Sequence, residues 1–176
     1  MHILSVNKST KVHINKQVQD SIRIIANYGV EGDRHAGEFV QHIFDQKKNP
    51  TAPNLRQVHL IHKELFDAMK EKGFDIQPGE MGENVTTVGI NLLELPRNTI
   101  LHLGNEAQVQ ITGLRKPCHQ INNVQKGLLN EMVVQDDKIP YLTGVMAIAL
   151  KDGEVKPGDE IRIEYPDKPY LSMEAV

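Results

Sequence analysis

The 176-residue chain carries one cysteine, Cys118. That excludes an internal disulfide framework, a CxxC redox pair and a four-cysteine metal site. A chain with no disulfide stapling is expected in a reducing, cytoplasmic compartment. Long hydrophobic runs are missing as well: the longest, residues 145–150, is far too short to span a bilayer. No signal-like segment opens the chain, since Met1-His2-Ile3-Leu4 gives way at once to polar residues 7–11. No membrane partner is expected. Positive charge is not in excess either. Lys+Arg number 20 against 23 Asp+Glu, a formal charge of -3, so a basic face for an extended nucleic-acid footprint is not expected. A small anionic ligand stays compatible, because local charge can differ from net charge. Internal repeats, low-complexity runs and linker-like shifts in composition are absent too, and the chain reads as one domain over residues 1–176, with 166–176 as an irregular extension.

What is present is enough for a core. Apolar residues make up 39% and charged residues 24%, ordinary values for a globular chain. Ser21-Ile22-Arg23-Ile24-Ile25, Ala107-Gln108-Val109-Gln110-Ile111 and Ile161-Arg162-Ile163-Glu164-Tyr165 alternate apolar with polar at period two, the pattern of half-buried strands. Further strands are expected over 2–6, 56–61, 84–88, 100–103 and 143–150. Residues 151–154 read as a hairpin-type turn and 156–159 as a sharp bend. A helix is expected over 62–72, with Leu65, Phe66 and Met69 on one face and Gly73 as its stop. A second is expected over 126–134. Residues 46–54, with two lysines and two prolines, read as an exposed loop. Many short strands between Gly- and Pro-marked turns point to a mainly β barrel or sandwich.

Three polar clusters can carry chemistry. In residues 28–37, three glycines let the backbone turn tightly, while Asp33, Arg34 and His35 supply an acceptor, a fixed cation and a titratable donor. An Asp-capped surface turn is the plain alternative, and the cluster lacks the GxGxxG of a dinucleotide fingerprint. In residues 77–84, Glu80 and Glu83 flank two glycines ahead of a strand. Solvated turn acids are the reading favoured over a catalytic pair. In residues 112–120, Cys118 follows Arg115, Lys116 and Pro117 and precedes His119. Cationic neighbours favour the thiolate, which is both nucleophile and soft metal ligand. A buried, inert thiol is the alternative. The eight histidines show no HExxH. His59 and His62 straddle a strand-to-helix junction, and His35 and His42 are the candidates to meet them in space, but a structural zinc site is not supported.

Taken in order, Gly29-x-x-Gly32-Asp33-Arg34-His35, Arg56-Gln57-Val58-His59-Leu60-Ile61, Pro78-Gly79-Glu80-x-Gly82-Glu83-Asn84, Arg115-x-Pro117-Cys118 and Val155-Lys156-Pro157-Gly158-Asp159-Glu160-Ile161 resemble the MOSC family, named for the C-terminal domain of molybdenum cofactor sulfurases. The resemblance spans about residues 29–163. It implies a barrel like that of pyruvate kinase with a few peripheral helices. It also implies binding of the molybdenum cofactor (molybdopterin), a pterin dithiolene with a phosphate tail. The family cysteine falls on Cys118, which in relatives either serves sulfur delivery or ligates molybdenum. Arg34 and Arg115 are then expected near the anionic cofactor, with Asp33, His35 and Asn84 shaping the pocket, and Arg56 either joining them or making an internal salt bridge. Three readings follow. The first is a reductase component for small N-hydroxylated compounds, with Cys118 as molybdenum ligand. The second is a sulfur carrier with a persulfide on Cys118, and the third a non-enzymatic cofactor carrier. A partner in trans is expected in either active case: an electron-transfer protein, or a cysteine desulfurase, which alone would bring pyridoxal phosphate.

Overall fold

The computed structural model describes residues 1–11, 14–41 and 43–176, and for 43–45 the backbone alone. Along the chain run β1 (His2–Lys8), β2 (Gln17–Gln19), β3 (Ile22–Ile25), β4 (Gly29–Val30), α1 (Ile43–Lys48), β5 (Val58–His62), α2 (Lys63–Glu71) and β6 (Val85–Val88). There follow β7 (Ile100–Leu103), β8 (Ala107–Leu114), α3 (Leu128–Glu131), β9 (Val145–Lys151), β10 (Gly153–Val155) and β11 (Ile161–Glu164), with 3-10 turns at Leu92–Glu94 and His119–Asn123. Eight strands form one sheet in the order β11-β7-β8-β9-β5-β6-β1-β2, and β10-β3-β4 form a second.

The period-two segments become strands because they bury one face. Ala107, Val109 and Ile111 point into the core from β8, while Gln108 and Gln110 stay half-exposed. β5 is buried at every position, as befits a strand between two partners. It pairs antiparallel with β9 and parallel with β6. The parallel pair needs a crossover, and α2 supplies it. That helix packs Leu65, Phe66 and Met69 inward, and Gly73 follows its end with φ 89°.

Several expectations change. The closed barrel does not form among the described residues: the sheet runs open from β11 to β2. One physical reason lies at β2, whose three residues end the sheet and whose Gln19 Nε2 donates to its own carbonyls Gln17 O (3.1 Å) and Val18 O (2.9 Å). The other lies ahead of β11. Residues 156–159 form a tight turn with Asp159 Oδ2 accepting from Lys156 N, and Pro157 has no N–H to give. That segment meets β1 through one isolated bridge, His2 with Glu160, and three backbone hydrogen bonds, Ile3 N to Asp159 O (2.9 Å), Gly158 N to Ile3 O (2.8 Å) and Ile161 N to Met1 O (3.2 Å), rather than through a continuous ladder. The expected hairpin at 151–154 is a change of sheet instead: β10 leaves β9 and pairs with β3. The expected helix over 126–134 shrinks to α3, because Gly127 stands at its start with φ 90° and the preceding turn is 3-10. The loop expected over 46–54 begins as the end of α1. Among the described residues, no helix is long and apolar enough to cross a membrane.

Candidate functional site

The strand ends of β5, β8 and β9 and the loops around residues 14–16, 34–41, 82–84 and 115–120 enclose a cavity of about 310 Å³. Cys118 lies on its wall, half-buried. Five permanent cations line it: Lys16, Arg34, Arg56, Arg115 and Lys116. No carboxylate side chain is among the lining residues described, although the chain as a whole is negative.

Arg115 follows directly on β8 and is carried inward by it, 9% exposed. Its Nη1 is buried without a hydrogen-bond partner. Burial pushes the guanidinium down from its ordinary value, and the Cys118 sulfur and the Glu83 carboxylate beside it work the other way. An unsatisfied guanidinium N–H in a cavity is a strong donor awaiting an acceptor.

Lys16 was not anticipated from the sequence. Its Nζ lies 3.0 Å from each oxygen of Asp33, and both side chains are almost wholly buried. The loop at Gly79 puts it there. Lys16 N donates to Gly79 O (2.8 Å), and Gly79, at φ 89°, leaves no space for a Cβ, which would sit 2.4 Å from Lys16 O. Burial pushes the Lys16 ammonium down, with Asp33 opposing. Burial also works against the Asp33 charge. Hydrogen bonds from His35 and the Lys16 ammonium outweigh it and hold the carboxyl well below the usual carboxylate range. Asp33 further accepts from Ser9 N (3.1 Å) and His35 N (3.0 Å). It is therefore a turn cap, as one reading of the sequence had it, but a buried one that also anchors a lysine.

Of the expected pocket residues, Arg34, His35, Asn84, Arg115 and Cys118 line the cavity, while Asp33 stands behind Lys16. Asn84 faces it yet spends its side chain on the backbone: Oδ1 accepts from His59 N (3.1 Å) and Nδ2 donates to Asn7 O (3.2 Å). Glu83 is not the solvated turn acid favoured from the sequence. It is fully buried, accepting from Gly79 N and from Thr86 Oγ1 (2.9 Å). Burial pushes its carboxyl up, against the pull of those donors and of Lys16. Glu80 accepts instead from Gln77 N (2.9 Å), so the two acids serve separate backbone amides.

The histidines do not converge. His59 and His62 sit at odd spacing on β5, so they face opposite sides. His59 lines the cavity with Nε2 2.7 Å from Thr143 O. His42 lies outside the described residues. Among the described residues, no three His, Cys, Asp or Glu side chains gather as a metal cage.

Comparison with known proteins agrees with this architecture. The family model described as MOSC domain matches residues 32–162. Among solved structures, the YUAD protein from Bacillus subtilis is 20% identical, with a TM-score of 0.75 over 94% of this chain and 96% of that one. YiiM from Geobacillus stearothermophilus is 19% identical, with a TM-score of 0.69 over 97% of this chain and 78% of that one. YiiM from Escherichia coli, at 16% identity, gives 0.64 over 97% and 73%. Identities this low carry the fold alone. No curated protein matches this chain.

Proposed function

The chain belongs to the MOSC domain family, a family associated with molybdenum cofactor binding, and from that premise we propose that it binds the molybdenum cofactor through Cys118 and acts as a reductase component for small N-hydroxylated compounds. One observation carries the reading: the cavity beside Cys118 is lined by five cationic side chains and by no described Asp or Glu side chain, with Arg115 Nη1 left unpartnered. A buried cation without a partner costs stability unless a ligand completes it.

The residues fit the group. Cys118 would be the thiolate ligand for the metal, a soft donor suited to it. Arg115, Arg34 and Lys16 would hold the anionic groups of the cofactor, the arginines through planar forks suited to such oxygens. Asp33 keeps the Lys16 ammonium in place, and Asn84 holds the backbone of His59 and Asn7. His35, 3.4 Å from Asp33 through Nδ1, sits at the cavity wall where it can pass protons to a substrate. When bound, the cofactor supplies a redox metal on a pterin dithiolene. Reduction of an N–O bond consumes electrons that none of these side chains provides, so an electron-transfer protein is the partner in trans.

The test is the molybdenum and pterin content of protein purified anaerobically from a molybdate-replete host, wild type beside Cys118→Ser. Stoichiometric metal and pterin in the wild type, with the metal lost in the variant, is the expected result. Pterin absent from both would end this reading. It would leave the persulfide reading, whose sign is a desulfurase-dependent gain of one sulfur mass on Cys118.

A further inference from the structure

Three features converge on the backbone of Arg115, and none of them is in the cysteine loop itself. His59 is buried on β5, 4% exposed. Its Nε2 lies 2.7 Å from the carbonyl of Thr143, and a carbonyl only accepts, so Nε2 carries the hydrogen. Burial, and after it the charges of Arg115 and Lys16, push the imidazole well below its ordinary value, against hydrogen bonding to the backbone of Thr143 and Gly82. Thr143 is fully buried, and its hydroxyl donates to the carbonyl of Arg115. The next residue, Gly144, accepts from Arg115 N through its own carbonyl (3.0 Å). Both backbone groups of Arg115 are therefore held by the 143–144 segment, and His59 holds that segment.

The support is rigid on its far side. His59 N donates to Asn84 Oδ1 (3.1 Å), and His59 O accepts from Asn84 N (2.8 Å), so the backbone beneath the ring is clamped. Gly144 has φ 82°, and a Cβ on it would lie 2.2 Å from Leu60 O and 2.4 Å from Ile61 Cγ1. The turn thus lies directly on β5, with no space between. At the other end of the path, Arg115 sits against the Cys118 sulfur with Nη1 unpartnered.

We propose that His59 is a positioning residue, which through Thr143 sets the Arg115 guanidinium against the Cys118 sulfur. It touches neither the sulfur nor any ligand in this role. The proposal rests on the reading of Cys118 as the reacting thiol, but it needs no cofactor, so it can fail or stand apart from the molybdenum reading. A cation held at a thiol favours the thiolate, the form that reacts with an alkylating reagent. Moving the cation away removes that electrostatic help, so alkylation at neutral pH slows.

The experiment is alkylation of Cys118 by iodoacetamide at pH 7, on the full chain freed of any cofactor, with thermal melts to confirm folding. His59→Ala is expected to slow alkylation several-fold, up to about tenfold. His59→Gln, whose side-chain amide can donate to Thr143 O, is expected to restore most of the wild-type rate. Thr143→Val, which removes the hydroxyl on Arg115 O and leaves His59 in place, is expected to be slow as well, and it decides the matter if His59→Ala does not fold. The sign is diagnostic. A merely structural loosening would expose the half-buried thiol and speed the reaction, so faster alkylation in His59→Ala or Thr143→Val would overturn the proposal. A wild-type rate in Thr143→Val would overturn it too.

Discussion

The protein holds a second cavity, differently charged from the first. It lies between α2, β1, β2 and the 75–78 loop, encloses about 470 Å³, and is lined by Phe66, Ile76 and Leu4 beneath a rim of two lysines and two aspartates. Those four charges answer one another: Lys63 Nζ is 2.6 Å from Asp67 and Lys70 Nζ 3.8 Å from Asp75. In the cavity at Cys118, Lys16 is paired from behind while Arg115 keeps a buried N–H with no acceptor. Size does not separate the two cavities; unanswered charge does. A buried donor left open costs free energy that a ligand can recover, whereas a surface pair that neutralises itself has nothing further to offer.

Three substitutions bear on that contrast, in descending order of expected effect. Asp33→Asn removes the partner of buried Lys16 and should cost about 3–5 kcal/mol, the penalty for orphaning a buried charge. In a thermal melt at pH 7 that corresponds to a drop of roughly 10 °C for a domain of this size. A loss below about 1 kcal/mol would mean that Lys16 is not the charged floor of the cavity. The same pair has a pH signature. The folded state holds the Asp33 carboxyl below its unfolded value, so its contribution is complete above about pH 4 and is lost as pH falls through the folded value. Urea melts from pH 7 to pH 3 should show the wild type losing stability on the acid side, with Asp33→Asn losing less. Parallel slopes in the two proteins would count against this linkage.

Arg115→Met addresses the open donor itself. Binding of inorganic phosphate, followed by calorimetry on cofactor-free protein, should weaken by about tenfold or more, the share of a charge-assisted hydrogen bond. Melting temperature should hold or rise, because an unsatisfied buried guanidinium has been replaced by a side chain of similar volume. Unchanged phosphate affinity would break the contrast between the cavities. Asp67→Ala, at the second cavity, is the smallest: it removes an i,i+4 surface pair worth about 0.5 kcal/mol or less. It should leave phosphate binding untouched. A large effect there would show that the second cavity is charged in a way its pairs conceal.

Much of the fold was legible locally. The alternation in residues 107–111 and 161–165 became β8 and β11 because each strand buries one face, and Gly73 ended α2 where its φ requires glycine. The errors came where a contact distant in sequence decides the outcome. The sheet stayed open because its last strand, β2, stops after three residues and because residues 158–161 meet β1 through one isolated bridge and three backbone hydrogen bonds rather than a ladder, and neither is a periodic signal. Glu83 looked like a solvated turn acid, since nothing in its neighbours announces that Thr86 and Gly79 will enclose it. Lys16 sits in an unremarkable polar stretch, and its partner Asp33 lies 17 positions away.

The sequence by itself determined the composition of the cysteine loop. Arg115, Lys116, Pro117 and Cys118 are neighbours in the chain, so covalent connectivity alone keeps cations close to the sulfur, and proline limits how that loop can bend. The tertiary structure decided what the loop faces. Lys16 and Asp33 arrive from one end of the chain, His59 from β5, and Thr143 from the turn before β9. Their distances depend on sheet order and on glycines at 79 and 144 that admit close backbone contact. Local sequence sets which groups are chemically competent, since that is a property of each residue and its covalent neighbours. Desolvation, unanswered charge and hydrogen-bond geometry arise only when distant segments exclude water together.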